Sequence, residues 1–168
     1  MTTDRALLAR GLPRIDAVGG TALRDAIDQA ESYLHQNATR DRRALLILTD
    51  GVDNESDATL DRVTRVAEEQ EVVVYAIGLF GGPGSEKAGR RDLDRLTRSS
   101  GGVAYYPSSV DGVRAAALSI ADQIRRQYTL AYAPTNQRLD GTYRHIAVNV
   151  HAQEHYLVRT RPGYYATP

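Results

Sequence analysis

The chain has 168 residues, 42% hydrophobic and 25% charged, a mix that fits one folded domain with a small appendage and excludes a wholly disordered chain. It has no cysteine, which excludes disulfides, Cys-ligated zinc, iron–sulfur clusters and thiol nucleophiles. Charge cancels overall but not locally: residues 1–84 carry 9 Arg against 14 Asp and Glu, and residues 85–168 carry 12 Lys and Arg against 7. A cation, if one binds, therefore belongs to the front half. The back half has no basic run longer than two residues and the pI is near 6.9, so nucleic acid is not the expected partner. No apolar run reaches the roughly 18 residues of a membrane span, and the first residues lack the apolar stretch of a signal peptide.

In chain order, the pattern predicts a short helix over residues 4–12, with Ala6, Leu7, Leu8 and Leu12 apolar. A loop follows at Val18-Gly19-Gly20-Thr21. Leu23, Ala26, Ile27, Ala30, Tyr33 and Leu34 then fall at helical spacing, to about Asn37. Arg43 to Thr49 is a short apolar run closed by Asp50-Gly51, which predicts a strand buried on both faces of a parallel sheet. Leu60, Val63, Val66 and Ala67 predict a helix with Ser56 or Asp57 as its N-cap. Val72 to Leu79 is a second buried strand, rich in β-branched residues, and residues 81–85 are a loop. Arg91 to Ser99 predicts a helix closed by Gly101-Gly102. Val103 to Tyr106 is a third strand, and Val113, Ala117, Ile120 and Ile124 mark a long helix.

This alternation predicts an α/β fold over residues 1–126, Rossmann-like, with a mostly parallel sheet and flanking helices. After Arg126 the period changes to two. Tyr128, Leu130 and Tyr132 alternate with smaller residues, Asp140-Gly141 is a turn, and Ile146, Val148 and Val150 alternate again. Tyr156 to Arg161 is a last strand. Residues 127–168 therefore read as a three-stranded antiparallel extension.

In open α/β sheets, sites lie beyond the C-terminal ends of the strands. Asp50 sits there, and Thr21 stands at the start of a helix in a glycine-bearing loop. Asp53, Glu55 and Asp57 crowd the segment after Asp50. Hydroxyl and carboxylate oxygens suit a hard cation such as Mg2+. Each residue also has a plain structural reading. Thr21 is equally an N-cap, Asp50 a turn residue, and the other three a solvated loop and helix cap. The glycine-rich loop at 81–84 has neither a Gly-Lys-Ser/Thr nor a GxGxxG pattern, so it predicts no phosphate site. His145, His151 and His155 read as solvent-facing. Tyr128, Tyr132 and Tyr143 read as cross-strand packing, and Tyr164 and Tyr165 as an exposed contact patch.

Gly19-Gly20-Thr21-Ala22-Leu23, followed 29 residues after Thr21 by Asp50 in Leu48-Thr49-Asp50-Gly51, resembles the von Willebrand factor type A domain. Ile77-Gly78, Gly101-Gly102 and the closing Arg161-Pro162-Gly163-Tyr164-Tyr165 resemble more narrowly a bacterial subfamily known best from acidobacteria. The resemblance implies a metal-ion-dependent adhesion site built from three loops. Thr21 would be its second-loop ligand and Asp50 its third-loop carboxylate, around Mg2+, Mn2+ or Ca2+. The first-loop motif, Asp-x-Ser-x-Ser, occurs nowhere; Asp57 to Asp61 reads Asp-Ala-Thr-Leu-Asp. The resemblance thus implies a chain that starts after the first strands of the fold, with weak or absent metal binding. It also implies an open edge on the Leu45–Leu48 strand, as in a gene fragment, a misplaced start or a fold completed by a partner. Members are often exported, which leaves the compartment open here.

Three functions compete. The leading expectation, from the resemblance, is a protein-binding or adhesion module whose partner supplies an acidic residue, with Asp53, Glu55, Tyr164 and Tyr165 as further contact candidates. The second is a metal-independent assembly role through the β extension or the open sheet edge. The third is a Mg2+-dependent hydrolase. Against an enzyme, the other strands end in Gly78-Leu79 and Pro107-Ser108 rather than in a second carboxylate. No nucleophile-elbow pattern occurs, and all four histidines lie far from Asp50 in sequence.

Overall fold

The computed structural model describes residues 4–11, 19–81, 85–154 and 156–167. Leu12, Val18, the 82–84 part of the glycine-rich loop and His155, all read above, lie outside the described residues. The elements run α1 (Arg5–Gly11), α2 (Leu23–Asn37), β1 (Arg43–Thr49), α3 (Leu60–Glu69), β2 (Val72–Gly78), α4 (Ser85–Ser100), β3 (Ala104–Tyr105), α5 (Val110–Arg125), β4 (Tyr143–His145) and β5 (Gly163–Tyr165).

Strands β1, β2 and β3 form one parallel sheet in that order. β1 pairs with β2 from Arg43–Val72 to Thr49–Gly78, and β2 pairs with β3 at Ala76–Ala104 and Ile77–Tyr105. Helices cover both faces, as the strand–helix alternation predicts. On one face Ile27 of α2, Val63 and Ala67 of α3, and Leu93 and Leu96 of α4 bury Ile47, Val72, Val74 and Ala76. On the other, Ala116 and Ile120 of α5 bury Tyr75 and Ile77.

Local chemistry sets the boundaries. α3 is capped by Thr59, whose hydroxyl accepts from Arg62 N at 3.2 Å, and not by Ser56 or Asp57, which are engaged elsewhere. α4 starts at Ser85, six residues before the expected Arg91. It ends at Gly101, whose φ of +86° only glycine adopts freely. Ser109 caps α5, accepting from Gly112 N at 3.2 Å.

Two expectations fail. β1 is not buried on both faces: Leu46 and Leu48 are 51% and 61% exposed, because among the described residues β2 alone pairs with it and α5 packs over β2 and β3. Among the described residues the extension also has two strands instead of three. β4 and β5 pair antiparallel at Tyr143–Tyr165, Arg144–Tyr164 and His145–Gly163. Ala166 N donates to Thr142 O at 3.0 Å and Ile146 N to Pro162 O at 2.8 Å. Residues 128–133 make no backbone hydrogen bond to another described residue, and Tyr128, Leu130 and Tyr132 are exposed. Residues 156–161 are likewise unpaired.

Candidate functional site at the C-terminal end of β1

The chain leaves β1 at Thr49, and residues 50–58 fold against the start of α2. Thr49 shapes the exit: its hydroxyl donates to Gly51 O at 3.0 Å, while its carbonyl accepts from Leu79 N at 2.8 Å. Thr21 is brought to the same end. Its N–H donates to Asn54 Oδ1 at 2.6 Å, and its carbonyl accepts from Asn54 N and Glu55 N at 3.0 and 3.3 Å. The Thr21 hydroxyl lies over Gly51, so close that a Cβ there would stand 2.6 Å from Oγ1. Glycine after Asp50 is thus what allows the Thr21 loop to approach. The Thr21 loop thus reaches Gly51 at the end of β1, with Thr21 half-buried and the preceding Asp50 exposed.

Thr21 is not the N-cap of α2. The cap position is Ala22, which offers no side-chain bond. The free amides of the first turn are satisfied from a distance instead. Asp53 Oδ2 accepts from Arg24 N at 2.7 Å and Ser56 Oγ accepts from Asp25 N at 3.1 Å. Asp25 returns the contact, accepting from Asp57 N at 3.1 Å and Ala58 N at 2.8 Å. Loop and helix thereby cap each other.

Asp53 is the centre of that clasp, and its side chain is 6% exposed. Its oxygens also accept from Arg24 Nη2 at 2.7 Å and from Ser56 Oγ at 2.5 Å. Burial alone would raise its pKa, but the hydrogen bonds from Arg24 and Ser56 outweigh burial and hold the carboxyl well below the usual range. The same pair raises the Arg24 guanidinium. The structure thus spends Asp53 internally and does not present it to a partner. Glu55 is exposed beside Gly20, on the same side as Thr21.

The tyrosine patch lies elsewhere. Tyr164 is half-buried under the Arg161 guanidinium, 5.8 Å from its ring centre, and its nearness raises the Tyr132 phenol. Tyr165 stands edge-on to Tyr143 at 5.0 Å, with Arg65 over its ring at 5.5 Å. None of these partners belongs to the 50–58 loop. His145 is exposed, edge-on to Tyr143.

Thr21 and Asp50 offer one hydroxyl and one carboxylate, donors of the kind Mg2+, Mn2+ or Ca2+ prefers. Among the described residues, no group of three or more His, Cys, Asp or Glu comes together that could hold a metal. Asp53 cannot add a third donor, since both its oxygens are taken. The described residues fall short of a complete metal site.

Sequence reasoning missed one buried charge. Glu31 on α2 is fully buried, neither carboxylate oxygen has a hydrogen-bond partner, and burial, followed by the nearby Asp28, pushes its pKa up to about 8. Its place four residues after Ile27, on the inward face, was the available signal.

The sequence model of the von Willebrand factor type A domain matches residues 8–123. Over 105 residues the chain is 29% identical to calcium-activated chloride channel regulator 1 of Mus musculus, a match covering 62% of this chain and 10% of that protein. The chain thus spans about a tenth of the length of that relative. A crystal structure of an uncharacterized membrane spanning protein from Vibrio fischeri aligns with 72% of this chain and 67% of its own, at 17% identity and a TM-score of 0.43. In the present chain, no helix among the described residues is long and apolar enough to cross a membrane.

Proposed function

We propose that this chain, which belongs to the von Willebrand factor type A domain family, is a protein-binding module that engages its partner at the C-terminal end of β1. The family is generally one of protein-interaction and adhesion modules. The observation that supports the reading is the approach of the Thr21 hydroxyl to Gly51, the residue that follows Asp50. In this reading Thr21 and Asp50 are the second- and third-loop positions of an incomplete metal-ion-dependent adhesion site. With two oxygen donors among the described residues, this site holds Mg2+, Mn2+ or Ca2+ weakly or not at all, and the partner supplies the acidic group. The work is recognition without turnover, so the module is not an enzyme. Narrower membership in the acidobacterial subfamily is part of the same proposal, supported by the Arg161-Pro162-Gly163-Tyr164-Tyr165 ending.

A second reading, assembly through the open edge of β1 without a metal, is favoured by the exposure of Leu46 and Leu48. Selection of a random peptide library on the immobilised chain separates the two, with Mg2+ or with a chelator present. Enrichment of Asp- or Glu-bearing peptides that is lost with chelator, with Asp50→Ala and with Thr21→Ala supports the first. Apolar peptides that ignore chelator and Asp50→Ala support the second. No enriched peptide in either condition overturns both.

A further inference from the structure

The outward face of α4 carries one sign of charge. Between residues 86 and 100 the exposed positions are Lys87, Arg91, Arg95 and Arg98, while the acids of the same stretch, Glu86, Asp92 and Asp94, are half-buried. α3, by contrast, exposes Asp61 and Glu69 beside Arg62 and Arg65. The arrangement on α4 works against the helix. Spacings of four set Lys87 next to Arg91 and Arg91 next to Arg95, and like charges one turn apart repel. Lys87 also puts a cation in the first turn, at the positive end of the helix dipole. A face made for solubility alone would mix the two signs.

These four cations line an open groove of about 610 Å³, which Pro162 of the extension lines from the other side. The extension is held close because Gly101 has no Cβ: one there would stand 2.9 Å from Arg161 N. Two charged groups in the groove are already engaged. Arg90 bonds Glu86 and lies 4.4 Å over the Tyr106 ring, and Asp94 accepts from the Tyr106 hydroxyl at 2.8 Å. The stripe itself is barely paired. Lys87 has no ion-pair partner among the described residues. Arg91 and Arg98 stand 3.7 Å from Asp92 and Asp94, with both guanidiniums 80% exposed, an arrangement worth little in water. Arg95 spends one nitrogen on Asp61.

We propose that this groove docks an extended acidic segment of a partner protein, with Asp or Glu at alternate positions. Lys87, Arg91 and Arg95 are spaced by roughly 6 Å along the helix axis, and alternate side chains on one face of an extended chain by roughly 6.7 Å. Three alternating acids thus span roughly 13 Å against roughly 12 Å of cations, a difference that long side chains absorb. Each guanidinium can take a carboxylate through two parallel N–H bonds. The residues between the acids face away and need no charge. A polyanion charged at every unit fits less well: it meets Asp94 in the groove, and a chain of zero net charge does not draw it in from a distance. The docking needs no metal and neither Thr21 nor Asp50, so it stands apart from the reading at the strand end.

The test is fluorescence anisotropy on the full chain with chelator present. The probe is a fluorescein-labelled peptide of alternating Glu and Ala with three Glu. It should bind saturably, and more weakly as salt is added; no binding overturns the proposal. Arg91→Glu with Arg95→Glu should raise its dissociation constant at least tenfold. Arg114→Glu with Arg125→Glu, the same charge change on exposed positions of α5, should leave it unchanged. Equal weakening by both pairs would be a response to net charge alone and overturns the proposal. Should the first pair unfold α4, Arg91→Gln with Arg95→Gln, which relieves the repulsion, should keep the melting temperature and still weaken the peptide at least fivefold. Inorganic polyphosphate that binds more tightly than the peptide at equal charge would make the groove a polyanion site and overturn the proposal. Loss of the peptide in Asp50→Ala would put the acidic segment at the strand end and overturn it too, leaving the reading there intact.

Discussion

β1 and β2 are neighbours in one sheet, seven residues each, paired in full register and almost equally apolar. β2 has a strand on either side and helices on both faces, and six of its seven residues are buried. Among the described residues β1 has a strand on one side only, and Leu46 and Leu48 stand in solvent. An uninterrupted apolar run therefore encodes a strand, but not the neighbours that cover it. The strand whose end carries Asp50 is the one that, among the described residues, is paired on one side alone.

The sharpest way to break the comparison is to truncate one side chain on each strand. Ile77→Ala on β2 empties a site that is 2% exposed and should cost about 2–5 kcal/mol in urea unfolding, transfer and cavity terms together. Leu48→Ala on β1 removes a side chain already more than half in water and should cost less than about 1 kcal/mol. The two values should differ clearly.

A second prediction concerns the helix face that covers the sheet. α2 turns Leu23, Ile27, Glu31 and Leu34 inward, and Glu31 is the one acid among them. With the carboxyl raised to about 8, the folded chain keeps a proton that the unfolded chain releases near 4.5. Below that lower value Glu31 is neutral in both states and costs nothing. As pH rises between the two values, stability falls, by a few kcal/mol in total, and then levels off. Glu31→Gln should flatten this slope between pH 5 and pH 8 in thermal melts. An unchanged slope would mean that Glu31 is ionised in the folded state.

The parts of the molecule that were legible in sequence are those set by local periodicity. Strands β1 and β2, helices α2, α3 and α5, and the Gly101 stop follow from apolar spacing and glycine chemistry. The family itself was legible in the Gly19–Leu23 and Leu48–Gly51 motifs. What was not legible depends on distant partners. Ser56 reads as an N-cap of α3 by position, yet its hydroxyl serves Asp25 N of α2. Tyr128, Leu130 and Tyr132 have the alternation of a third strand, but alternation says nothing about whether an edge lies within reach. Glu31 was overlooked because apolar periodicity counts the residues that agree with it and passes over the one that does not.

Asp50 and Asp53 carry the smallest effect and the closest comparison, two carboxylates three residues apart in one loop. Asp53→Ala removes the acceptor of Arg24 N and Ser56 Oγ and strands a guanidinium that is 28% exposed. It should cost about 1–3 kcal/mol, the usual loss for hydrogen bonds to a charged group. Because its carboxyl is held below the ordinary value of 3.8, that contribution is complete above this value and is lost as pH falls below it. The wild-type melting temperature should therefore drop on acidification below about pH 4, with a smaller drop in Asp53→Ala. Asp50→Ala should leave stability within about 0.5 kcal/mol of wild type, as expected for an exposed side chain away from the clasp. If Asp50→Ala instead destabilises as much as Asp53→Ala, Asp50 is a turn residue and the recognition role assigned to it fails. If it is silent in melts but abolishes peptide capture, the loop has divided its labour: one carboxylate holds the loop against α2 so that the other can face outward.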